Sequence, residues 1–199
     1  MTVPKNLTDD RIEAVIKGRK LWIQDKLRLQ ASAVVHKPKE YVSGEAFAYL
    51  GRNYRLKCVQ GAYDSVKLKK GYLEVCTKER PLEGPLQASV RDWYQTKALL
   101  KLTEKTKRYA SILKVEPTSI NLKAYKARWG SCSPKGNLSY NWRIILAPHH
   151  IVDYVVVHEL CHLIEHNHSP GFWSQVRSVI PDYDTIREWL KTNGSSLLI

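Results

Sequence analysis

Apolar residues recur along this chain at two spacings, and the switches between them divide it into elements. Over residues 9–30, Ile12, Val15, Ile16, Leu21, Ile23 and Leu27 lie among charges with no internal proline, which predicts a packing helix. Two alternating segments follow: AFAYLGRNYRLKCV (46–59), turning near Gly51, and SVKLKKGYLEVCT (65–77), turning at Gly71. They predict β-hairpins, with Tyr54, Leu56 and Cys58 on an apolar face and Arg55 and Lys57 on a basic one. RPLEGPLQ (80–87) interrupts both periods and marks a linker. From Ser89 to Leu113 helical spacing returns, with Val90, Trp93, Leu100 and Tyr109 expected inward and Lys97, Lys101, Lys105 and Arg108 outward. SINLKAYKARW (119–129) and NLSYNWRIIL (137–146) then alternate with period two. In the second, Leu138, Tyr140, Trp142, Ile144 and Leu146 share one face and Ser139, Asn141 and Arg143 the other; SPKGN supplies the loop, so an antiparallel pair is expected.

The last third is helical by pattern. Pro148 suits a first helical turn, and HHIVDYVVVHELCHLIEH (149–166) continues without a breaker; its valine run favours a strand only until its apolar neighbours imply a helix buried on most sides. Ser169 can cap a further helix begun by Pro170, with Phe172, Trp173, Val176, Val179 and Ile180 inward. Hairpins, helix, strand pair and helices make an α+β fold, divided into an N-terminal helix and β-hairpin region (1–85) and a second region (86–199).

With 199 residues, 43% hydrophobic and 26% charged, the chain can bury a core without disulfides or a structural metal. No apolar run approaches the roughly 20 residues of a membrane span, and the first residues lack a secretory pattern, so a cytoplasmic protein without a membrane partner is expected. Cys58, Cys76, Cys132 and Cys161 form no C-x-x-C pair and are expected as small buried residues. The net charge of +13 is uneven: Lys and Arg outnumber Asp and Glu by 17 to 10 over residues 1–85 and by 12 to 3 over 86–148, but trail by 3 to 6 over 149–199. A basic body suits a polyanion such as nucleic acid or a nucleotide, or is simply a solvated surface.

The chemistry concentrates in HELCHLIEHNHSPGFW (158–173). On a helix, His158 and His162 stand one turn apart on one face, so their imidazoles can converge on one ion. Glu159 can then lie beside a metal-bound water without ligating, the arrangement of H-E-x-x-H zinc hydrolases. A catalytic zinc wants a third protein ligand. His166, about 12 Å along the axis from His158 if the helix continues, is the weaker candidate. His168 lies beyond the expected bend and can fold back, and Glu188 on a following helix is the alternative. The H-x3-H-x5-H spacing is that of metzincins, but their glycine position holds Glu165 and the only methionine is Met1, so a different zincin branch is indicated.

Taken together, YVSGEAFAYLGRNYRLKCV, RWGSCSPKGNLSYNWRIILAP and VVHELCHLIEHNHSPGFW resemble the YgjP-like metallopeptidase family, relatives of the SprT-like and WLM zincins, over nearly the whole chain. The resemblance implies a zincin-like catalytic domain in residues 86–199, with one catalytic Zn2+ on His158, His162 and His168 and with Glu159 catalytic. Cys161 stands where alanine is frequent in the family and points off the ligand face. An all-imidazole set favours zinc over manganese. The expected activity is peptide hydrolysis by a zinc-activated water with Glu159 as general base. Arg128, Tyr140 and Arg143 are candidates for oxyanion or substrate contacts, Trp129 and Trp142 are expected in the core, and strand 137–146 can offer a sheet edge to an extended peptide. Alternative readings place a nucleoside triphosphate on the same site, make the chain a SprT-like protease associated with nucleic acid, or use zinc only to staple a nucleic-acid-binding module.

Overall fold

The computed structural model describes residues 8–32, 37–60, 64–77 and 83–199. Its first compact unit, Met1–Val35, holds two helices, α1 (Asp9–Gly18) and α2 (Lys20–Ser32), where the spacing predicts one. The break falls at Arg19, directly after Gly18, the residue that loses most backbone freedom in a helix. The expected packing stripe is absent among the described residues of this unit: Val15, Ile16, Leu21 and Leu27 are exposed and α1 buries no residue.

The second unit, His36–Ile199, opens with β1 (Ala46–Tyr49), β2 (Arg52–Gln60), β3 (Asp64–Lys69) and β4 (Tyr72–Thr77). Both hairpins turn where expected, and parallel pairing of β2 with β4 joins them into a sheet of order β1-β2-β4-β3. The first turn also docks the sheet. Leu50 N–H donates to the Ile145 carbonyl at 2.8 Å, and Gly51, at φ +79°, lies so close to Pro148 that a Cβ would sit 2.8 Å from the proline Cα. Helix α3 (Glu83–Leu113) follows; residues 80–82 of the expected linker lie outside the described residues, and the rest of it enters the first turns of α3. Val90, Tyr94, Ala98, Leu102, Thr106 and Ala110, each four residues apart, form its buried line. Leu100 falls off that line and is 60% exposed, contrary to the expectation that it faces inward. Tyr94 Oη donates to the Ala48 carbonyl at 2.7 Å, tying α3 to the sheet.

A second sheet carries β5 (Ser119–Lys123), β6 (Gly130–Cys132) and β7 (Asn137–Asn141) in the order β5-β7-β6. The expected antiparallel pairing of the two long segments is incorrect. The turn through Gly136 closes a hairpin between β6 and β7, so β5 takes the opposite side of β7 and runs parallel to it. Strand β7 is therefore central and offers no free edge; β6 is an edge. Alternation also stops at Asn141. Residues Trp142–Leu146 wind into a 3-10 turn that buries the adjacent Ile144 and Ile145 together, which no strand with one solvent face could do.

Asn141 organises this corner. Its side-chain amide donates to the Tyr125 carbonyl at 3.0 Å and the Arg128 carbonyl at 3.3 Å, its Oδ1 accepts from Arg143 N–H, and its own N–H donates to the Trp129 carbonyl at 2.8 Å. Helices α4 (His149–Cys161), α5 (Pro170–Val179) and α6 (Tyr183–Asn193) complete the unit. As expected, the valine run is helical: Ile151, Val152, Val155, Val156, Val157, Leu160 and Cys161 are all buried, so packing outweighs β propensity. Lys105 of α3 pairs with Asp153 of α4 at 2.6 Å with both side chains largely enclosed. Among the described residues no helix is long and apolar enough to cross a membrane.

Because Asn141 satisfies three backbone groups at once, Asn141→Ala should lower stability by about 1–3 kcal/mol. Chemical denaturation checks this, and an unchanged midpoint would show that these contacts contribute nothing net.

Candidate metal centre

Helix α4 ends at Cys161 rather than continuing to residue 166, and His162 is its C-cap. Tightened bonds from Leu163 N–H to the Leu160 carbonyl and from Ile164 N–H to the Cys161 carbonyl turn the chain out of the helix. Ser169 then caps α5 as expected, accepting from Phe172 N–H at 3.2 Å with Pro170 in the first turn. The reversal returns His168 to the helix end, where one donor atom from each of His158, His162 and His168 lies within 4.8 Å of the others.

The remaining ring nitrogens indicate which atoms face inward. Nδ1 of His158 lies 3.3 Å from the Tyr154 hydroxyl, and Nδ1 of His162 lies 3.1 Å from the Glu165 carbonyl. A ring that donates from Nδ1 presents a free Nε2 lone pair, and such outer partners set the orientation of a metal-binding imidazole. The Nε2 atoms of His158 and His168 are 3.1 Å apart, near the roughly 3.3 Å edge of a zinc tetrahedron with bonds of about 2.05 Å. The donor set fits a zinc ion. Phe172 forms its apolar floor, with ring centroids 4.6 to 4.9 Å from all three imidazoles, and Trp173 stacks on His168 at 5.4 Å. Trp173 also stacks on Tyr183 at 5.1 Å and has the Arg187 guanidinium 4.4 Å from its ring.

Glu159 is only 5% exposed and packs against the backbone of β6: a Cβ on Gly130 would lie 2.5 Å from its Oε1. Burial pushes its carboxyl up to about 8, partly opposed by the Arg128 guanidinium. Burial pushes His158 down to about 3, helped by the neighbouring imidazoles, and also lowers His162, so the unprotonated forms that a metal requires are favoured. Two cavities share the walls Arg128, Gly130, His158 and Glu159. One of about 390 Å³ extends toward Tyr154, Arg187 and Leu190, and one of about 400 Å³ toward Cys132, His162 and His168.

The other sequence candidates separate. Arg128 is at the centre, on both cavities. Tyr140 is not: it is fully buried with its hydroxyl 3.0 Å from Thr106 Oγ1. Arg143 lies over the Trp142 ring at 4.7 Å and lines a different cavity, so neither it nor Tyr140 is placed as an oxyanion contact. His166 borders the second cavity outside the three-histidine group, and Glu188 is exposed and paired with Lys191 at 2.8 Å. Trp142 is buried as expected, whereas Trp129 is half-buried and lines the first cavity. Sequence reasoning missed Tyr154 and Gly130. The first was legible as a tyrosine one helical turn before His158; the second needed knowledge of what crosses β6.

Comparison with known families gives a match over nearly the whole chain. The model of the YgjP-like metallopeptidase domain matches residues 1–193. Among solved structures, similarity is found to the metallopeptidase zymogen of Pyrococcus abyssi abylysin, at 21% identity and a TM-score of 0.43, covering 46% of this chain and 92% of that one. The zymogen of Methanocaldococcus jannaschii jannalysin is similar at 22% identity and a TM-score of 0.41, covering 45% and 92%. No curated protein matches.

Gly130→Ala should cost about 1–3 kcal/mol through overpacking, and most of that cost should vanish in a Glu159→Ala background. A double-mutant cycle by denaturation reads the coupling; additive costs would mean the two groups do not press on each other. Burial of Glu159 also has a pH signature. Its raised folded value means the fold loses stability as pH climbs from the ordinary carboxylate range through about 8. Metal-free Glu159→Gln should therefore gain melting temperature over wild type more at pH 9 than at pH 4, and an equal difference at both would mean the carboxyl is not desolvated.

Proposed function

The chain belongs to the YgjP-like metallopeptidase family, and from that premise we propose that it is a zinc-dependent peptidase whose catalytic groups lie in the zincin-like region 86–199. The observation that carries this reading is the convergence of His158, His162 and His168 donor atoms beside the buried carboxyl of Glu159. A zinc ion held by the three imidazoles would supply a Lewis acid to polarise the attacked carbonyl and acidify water.

The rest is work for this chain's own side chains. Glu159, buried beside the histidines, takes a proton from the attacking water in its ionised form, which a neighbouring cation would favour, and returns it to the leaving amine. Gly130 leaves room for that carboxyl at the strand. Arg128, shared by both cavities, is the positively charged donor best placed for the developing oxyanion. Tyr154 and the Glu165 carbonyl orient His158 and His162 from behind. An extended peptide finds its sheet edge on β6 rather than β7, and β6 lines the histidine cavity. Family membership supports a peptide or protein substrate and gives the nucleotide and nucleic-acid readings no support.

Glu159→Gln should retain bound zinc by elemental analysis yet lose about 10²–10⁴ of peptide-cleaving activity. His158→Ala or His162→Ala should lose both metal and activity, as should wild type after chelation, with zinc restoring only the last. Undiminished cleavage by Glu159→Gln would overturn the assignment.

A further inference from the structure

A third cavity, of about 710 Å³, lies beyond the Trp129 end of β6. It shares Arg128, Trp129 and Leu190 with the cavity at His158 and Glu159, so the two meet across the Trp129 indole. Gly194, also on the wall of this cavity, packs so closely on that indole that a Cβ would approach the ring to 3.2 Å. The walls carry Lys126, Arg128 and Arg143 and, among the described residues, no acid. None of the three is in an ion pair among the described residues: Arg128 lies over Tyr125 at 5.4 Å, and Arg143 lies over Trp142 with its buried Nε lacking any hydrogen-bond partner. Leu197 and Leu198 add apolar wall that lowers the local dielectric.

Three cations on the walls of one cavity that carries no acid favour an anion, and an arginine fork matches a carboxylate in shape and charge. Chain direction then says which part of a peptide would reach it. Strand β6 runs from Gly130 at the Glu159 carboxyl to Cys132 beside the histidines, so a peptide paired antiparallel to it points its C-terminal side toward Trp129 and Arg128. We infer that the cavity formed by Lys126, Arg128 and Arg143 is a subsite for a carboxylate on the C-terminal side of the scissile bond, supplied by an acidic side chain or by the substrate's own C-terminus. This subsite rests on the peptidase reading with the substrate antiparallel to β6, but its charge preference can be measured without turnover.

The test uses the full-length, zinc-loaded Glu159→Gln chain, titrated through its tryptophan fluorescence with matched short acetylated peptides. One series carries Glu against Gln near an amidated end; the other carries a free C-terminal acid against its amide, with no acidic side chain. In at least one series the acid should bind about tenfold or more tighter than its neutral counterpart, as a charge-assisted contact implies, and the series that discriminates identifies the source. Adding Arg143→Gln, or separately the exposed Lys126→Gln in case the first perturbs folding, should cut the preference to within about threefold while neutral peptides bind as before. Equal binding of acids and amides in both series, or a preference indifferent to both substitutions, overturns the subsite. Cleavage of a peptide library by zinc-loaded wild type is read separately. Acid-selective binding without cleavage counts against the peptidase reading alone, and cleavage without acid preference against the subsite alone.

Discussion

Enclosure of α4 is the constraint on which the rest of the structure depends. The helix is apolar on nearly every side, so it must be covered by α3, the second sheet, α5 and α6 if its valines are to leave water. The same enclosure that stabilises it desolvates the polar groups at its C-terminal end. His158 is thereby kept neutral and Glu159 is driven toward its protonated form, both by burial before any other influence. Stability and site chemistry thus share one cause.

The sheet supplies the complementary half. Gly130 puts bare backbone against the Glu159 carboxyl, and Asn141, buried one strand away, holds the loop that carries Arg128. Asn141 is tolerable at this depth because its side chain makes three hydrogen bonds to backbone groups. Among the described side chains two buried polar atoms lack a hydrogen-bond partner, Trp142 Nε1 and Arg143 Nε, both at this corner. The first sheet contributes at longer range: its leading turn presses Gly51 on Pro148, the residue from which α4 starts.

Behind the histidines, aromatic packing replaces hydrogen bonding. Phe172 contacts all three imidazoles, and the stack of His168, Trp173 and Tyr183 extends that support to α6. His168 is the most exposed of the three and comes from the bend rather than the helix, so its position depends most on this stack. The Ser169 cap fixes the start of α5 and with it the direction in which Phe172 and Trp173 project.

Local chemistry was readable directly from the residues. The helical spacing of His158 and His162, the bend that returns His168, the serine cap and the two hairpin turns all depend on neighbours within a few positions, where backbone geometry is stereotyped. Partner choice was not readable. Alternation showed that 119–129 and 137–146 had strand character, yet it carries no information on which strand lies beside which, and β6 took the antiparallel place. Period two also could not show that β7 is covered on both faces, or that Ile144 and Ile145 would leave the strand to be buried together. Arg128, Tyr140 and Arg143 were equivalent as polar residues near one segment; only the folded chain placed the first on the cavities beside Glu159 and the histidines, the second in the core and the third around the corner. The physical reason is one of range. Steric and hydrogen-bonding preferences act between near neighbours and are written in sequence spacing, whereas burial, desolvation and cavity shape are set by whatever distant segments close over a residue.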